Sequence, residues 1–235
     1  MTESEWLDCT DPTTMLQFLR GKTSDRKMRL FAVACCRRIW HLLLDERCRK
    51  GIEVAEQYAD GVATKGELDA ADNEVRATIA SEGHAALAVY HAFFAPHHDS
   101  RYVCNHAIGA ADQAVFAIAG NAMQDQGANL QAIADPFASN QCTALDSERA
   151  AQVKAVHDIF GNTFHPLNHV SFKLAGPVIA LGQAIYSERS FDRLPILADA
   201  MEEAGCNNEE ILNHCRSGGE HSRGCWVIDL VMGKA

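Results

Sequence analysis

The sequence contains no long apolar run. A bilayer-spanning helix needs about 20 predominantly apolar residues, and the best candidates, 85–90 and 174–181, are too short or are broken by glycine and proline. The first residues read MTESEW, with neither the basic segment nor the apolar stretch of a secretory signal. The chain is therefore expected to be soluble and cytoplasmic, with no membrane partner. Catalytic signatures are missing as well. There is no GxSxG, no GxxxxGK[ST], no GxGxxG and no HExxH, which removes the usual marks of a nucleophile elbow, a phosphate loop, a dinucleotide fold and a zinc-protease helix. Heptads, fixed-period repeats, low-complexity tracts and alternating strand patterns are not found either.

What is present is ordinary for a globular chain. Of 235 residues, 47% are hydrophobic and 22% charged, enough to bury a substantial core and too apolar for disorder. The nine cysteines are an odd number without an export signal, which points to reduced thiols, buried or metal-bound. Cys35 and Cys36 would diverge by about 100° on a helix and read as small core residues. The net charge of -10 conceals an asymmetry: residues 1–50 hold ten Lys/Arg against seven acids, +3, leaving -13 for the rest. A basic segment on an acidic body predicts either an anionic partner or packing of the two parts on each other. No stacking aromatics accompany the arginines, which favours packing.

Helix signals run the length of the chain. Asp11 before Pro12 caps a helix over 13–20 that Gly21 stops. Ser24 caps a second, predicted to reach 44, and a third spans 45–59. Thr64 and Glu67 fit a capping box opening a helix to about 94, before Pro96. Further helices are predicted at 101–123, 145–160, 175–187, 191–204 and 208–215. Periodicity cannot assign 225–232 to helix or strand. The result is an all-α, multi-helix bundle in a single domain, with the polar run 124–140 as candidate boundary between sub-domains.

The strongest constellation is Cys206, Cys215, His221 and Cys225, spaced C-x8-C-x5-H-x3-C. Thiolate and imidazole are ligand types that zinc prefers, and four can close a structural tetrahedron. The intervals match those of CCCH fingers with the last two ligand types exchanged. The competing reading makes Cys206 and Cys215 packing residues, with Arg216, Arg223 and Asp229 in an ion-pair network that pins the tail. Two histidine groups, His84, His91, His97, His98 and His106, and His165 with His169, lack the Glu-x-x-His step of helical metal sites.

Two segments carry a resemblance. Glu5-Trp6-Leu7, the run Met15 through Lys22, Ser24 through Lys27, and Cys35-Cys36-Arg37-Arg38-Ile39-Trp40 form one. Phe191 through Ala200, Glu203 through Cys206, His214-Cys215-Arg216 and His221 to Asp229 form the other. Together they resemble a protein family of planctomycete bacteria whose activity is unknown. The resemblance implies a helical protein and supplies no substrate, cofactor or catalytic residue.

The expectation is an all-α interaction or scaffold protein with a protein partner and a structural zinc near its C-terminus. One alternative is a metal- or thiol-dependent enzyme using the same cluster with an open coordination position. Another is a nucleic-acid binder through residues 20–50.

Overall fold

A computed structural model describes residues 1–93, 100–125, 139–165 and 176–234. Capping chemistry fixes most helix starts. Thr2 and Glu5 form a capping box for α1 (Glu3–Leu7), and Asp11 accepts from the N–H groups of Thr13 and Thr14 to begin α2 (Pro12–Leu19). Ser24 accepts from Lys27 at the start of α3 (Asp25–Arg38), and Asp45 from Arg47 ahead of α4 (Glu46–Ala59). The predicted box of Thr64 and Glu67 closes both of its bonds and opens α5 (Lys65–Arg76). There follow α6 (Ile79–Glu82), α7 (His84–His91), α8 (Ser100–Asp125), α9 (Ser139–Phe160), α10 (Gly176–Glu188), α11 (Leu194–Glu203), α12 (Glu209–Arg216) and α13 (Trp226–Met232). The fold is all-α: no strand occurs among the described residues. No helix among them is long and apolar enough to cross a membrane.

Two predicted helices are interrupted. The one expected to reach residue 44 ends at Arg38 and continues as a 3₁₀ turn, Trp40–Leu42. That turn lets Ile39 and Leu43 both be buried. The one expected over 64–94 breaks twice. Thr78 turns its hydroxyl onto the Val75 carbonyl, where it also meets the Cys48 thiol, a local bond that competes with helix propagation. Gly83 then takes φ +55°, a conformation that costs glycine little. The ambiguous 225–232 segment is α13, ended by Gly233 in the left-handed region.

The chain divides into two compact units, Met1–Val153 and Lys154–Ala235, so the division falls within α9. Most of the polar run 124–140, namely 126–138, lies outside the described residues.

In the first unit α3 is the central helix, packed by α4, α7 and α8. Its residues from Met28 to Cys36 are buried without interruption, as expected of a helix with neighbours on every side. Cys35 and Cys36 lie in this core. Arg29 is buried with them, donating to the Ala92 carbonyl and lying 5.0 Å above the Tyr58 ring. Three other arginines of the basic segment meet acids from elsewhere in the same unit. Arg26 pairs with Asp60 at 3.1 Å, Arg37 with Glu56 at 3.0 Å and Arg38 with Glu148 at 2.9 Å. The N-terminal excess of positive charge is thus matched by carboxylates brought from elsewhere in the unit. Burial of Glu56 and Glu148 makes those pairs a structural requirement, because an uncompensated buried charge is strongly destabilising.

In the second unit α11 and α12 pack together, as do α10 and α13. Asn208 caps α12 by accepting from Ile211. The core gathers Val178, Ile185, Leu197, Met201, Ile211, Cys215, Val227 and Ile228.

Candidate metal centre

Four side chains with metal-ligating atoms meet in the second unit: Asp158, His214, His221 and Cys225, each offering one atom within 4.8 Å of all the others. Asp158 stands in the last turn of α9, which stops at Gly161 with φ +64°. His214 stands in the last turn of α12, next to Cys215. On a helix, consecutive side chains point about 100° apart, so Cys215 joins Ile211 and Leu212 in the core and His214 faces the loop that follows. His221 lies on that loop, between Gly218 and Gly224, which both have positive φ. Cys225 immediately precedes α13.

Asp158 is the hub. Its side chain is 4% exposed, so its charge must be met inside the protein. Oδ1 accepts from His221 Nδ1 at 2.6 Å and lies 3.3 Å from His214 Nε2. Oδ2 accepts from the Ser222 N–H at 2.9 Å and from the Ser222 hydroxyl at 3.2 Å. Burial alone would raise its pKa, but the hydrogen bonds from His214 and His221 outweigh it and hold the carboxyl at about 2. His214 Nε2 is also 3.2 Å from the Cys225 sulfur. Burial, followed by the charge of Asp158, pushes the Cys225 thiol well above its ordinary pKa, while the nearby N–H groups of Ile228 and Val227 act weakly the other way. Without a cation, burial therefore favours the thiol form of Cys225 over the thiolate. His221 Nε2 is buried with no hydrogen-bond partner. Trp226 closes one side: its indole N–H donates to His214 Nδ1 at 3.1 Å, and its ring rests on Gly161, where an added Cβ would lie 3.1 Å from Cγ.

One thiol, two imidazoles and one carboxylate in a partly buried group are a donor set that could hold a metal ion, and the chemistry fits. A cation would favour the Cys225 thiolate and could take up a lone pair such as that of His221 Nε2. A site of sulfur and nitrogen donors suits zinc or a neighbouring transition metal rather than magnesium or calcium, which take oxygen ligands.

Of the residues expected from spacing, His221 and Cys225 belong to this group. Cys206 and Cys215 lie in the apolar core instead, 3% and 1% exposed. Burial, then the charges of Asp158 and Cys206, push the Cys215 thiol up to about 12. Asp158 and His214 take the other two places in the group. Of the expected tail network, Arg216 pairs with Asp199 and Glu202, and Arg223 lies 5.0 Å over the Tyr186 ring.

Among the other histidines, His91 and His106 face each other in the first unit with their Nδ1 atoms 3.4 Å apart, and His84 bonds Gln113. His97, His98 and His169 lie outside the described residues. No family model, no curated protein and no solved structure matches this chain. The fold and the site define a class, an all-α protein with a partly buried Asp/His/His/Cys group that could hold a metal ion.

Proposed function

We propose that this protein is a helical interaction module whose C-terminal unit is held together by one zinc ion on Asp158, His214, His221 and Cys225. The observation that carries the reading is the convergence of four ligand types from separate parts of the unit. The end of α9, the end of α12, the following loop and the start of α13 each contribute one. Four protein ligands close a zinc tetrahedron and leave no position for substrate, which is the structural kind of site. The second unit has only 82 residues, 154–235, and a domain that small has limited area to bury, so a metal staple would add materially to its stability. Binding would convert the Cys225 thiol to thiolate with release of its proton. Function then lies in the surfaces that the fold presents to a protein partner, and no turnover is expected.

The test is elemental analysis of untagged protein purified without chelator, beside Asp158→Asn, His221→Ala and Cys225→Ser. About one zinc per chain, lost in all three variants together with thermal stability, is the expected result. No metal above background in the parent protein would make the cluster a hydrogen-bonded network and remove the proposal.

A further inference from the structure

Trp226 contributes no ligand, yet its position bears directly on whether His214 can be one. An indole N–H is a donor and never an acceptor. Its partner is His214 Nδ1 at 3.1 Å, so Nδ1 must present a lone pair. In neutral imidazole the proton then sits on Nε2. That atom is the one facing the cluster, 3.2 Å from the Cys225 sulfur and 3.3 Å from Asp158 Oδ1. The arrangement forms a hydrogen-bonded chain in which indole donates to imidazole and imidazole to thiol and carboxylate.

A metal requires the opposite polarity. A ligating imidazole gives its lone pair to the metal and carries its proton on the other nitrogen, which donates to a carboxylate, a carbonyl or water. Were Nε2 to bind a metal, the Nδ1 proton would point at the indole proton of Trp226, setting two donors against each other. The bond between Trp226 and His214 and a metal bond to His214 Nε2 therefore exclude each other.

Resting on the zinc reading above, we propose that Trp226 sets the metal affinity of the cluster through His214, by competing with the metal for the ring's proton arrangement. The metal-free unit is held by the Trp226–His214–Asp158–His221 chain. The loaded unit is held by the ion, and the indole N–H is released from His214. Trp226 is a positioning residue that opposes loading, which makes the metal exchangeable. Because the indole rests on Gly161 at the end of α9 and begins α13, its reorientation would make metal occupancy readable where those two helices meet.

The experiment uses the full chain and zinc alone. Trp226→Phe keeps an aromatic ring over Gly161, smaller than the indole, and removes the donor. Zinc affinity, measured by competition with a chromophoric chelator, should rise about five-fold, the equivalent of about 1 kcal/mol for one net hydrogen bond. In the parent protein the three tryptophans give three indole N–H resonances, and Trp226→Phe identifies one by its loss. Zinc should shift that resonance and leave those of Trp6 and Trp40 in place. A purely packing role for Trp226 would lower affinity in the variant and leave the resonance where it was. Zinc bound with the Trp226 resonance unmoved, or bound no more tightly by Trp226→Phe, overturns the inference and leaves the zinc reading standing. No zinc bound by either protein overturns both.

Discussion

Acid should loosen the first unit through the histidine pair on α7 and α8. His91 and His106 face each other across the packing of these two helices, ringed by Tyr90 and Tyr102. Burial, then the neighbouring His106, lowers the His91 pKa from 6.5 to about 4. His106 is lowered too, by burial first, with the charges of Arg29 and Arg76 adding to the effect against the raising influence of its bond to His91. Each imidazole is thus neutral in the fold at a pH where the unfolded chain would protonate it. The unfolded state then binds more protons, so stability is full above about pH 6.5 and falls as the pH drops toward 4. Two and a half pH units at about 1.36 kcal/mol each give roughly 3 kcal/mol as an upper bound for His91. The ring is only part-buried, so solvent screening reduces this to about 2 kcal/mol. Urea unfolding between pH 7.5 and 4 would measure it, with Trp226→Phe as background so that Trp6 and Trp40 report on the first unit alone. In His91→Gln the acid loss should shrink by about 2 kcal/mol, because glutamine does not titrate. An unchanged pH dependence in that variant would refute the argument.

Gly109 tests the same contact from the other side. A Cβ there would lie 2.7 Å from His91 Cε1, so Gly109→Ala should cost about 1 kcal/mol net, overpacking of about 1–3 kcal/mol outweighing a helix-propensity gain of about 1 kcal/mol. A rise in Tm would show that His91 moves aside freely. In the second unit, Asp158→Asn in chelator-treated protein removes a charged acceptor from its hydrogen-bonding partners and should cost about 1.5–3 kcal/mol. A loss under about 1 kcal/mol in urea unfolding would show that the hub is dispensable without metal.

The helical architecture was legible because its signals are local. Asp11, Ser24, Thr64 with Glu67, and Gly21 each act within a few residues of the boundary they set. The breaks at Thr78 and Gly83 were not legible, since an apolar pattern continues across them and the break depends on where the threonine hydroxyl turns. At 225–232 the run is too short for a period to show. Half of the candidate site was legible by spacing, because His221 and Cys225 lie on one short loop. Asp158 stands 56 positions before His214, and no local pattern joins them. Its one signal was an acid between Val156 and Ile159, both buried. His214 and Cys215 are adjacent, and choosing between them needed the helix phase: the thiol faces the core with Ile211 and Leu212, and the imidazole faces the loop.

The two bonds from Ser222 to Asp158 have a kinetic consequence for the loop that carries them. Residues 216–220 are exposed, and a segment of that kind ordinarily exchanges its amide hydrogens with solvent within the time of local fraying. The Ser222 amide cannot do so independently. Freeing it means separating a buried carboxylate from a donor that helps to hold it ionised, at a hub that also anchors His221. Its exchange should follow the opening of the Asp158 hub rather than that of the loop, making one amide beside a solvent-facing turn a slow clock for the second unit.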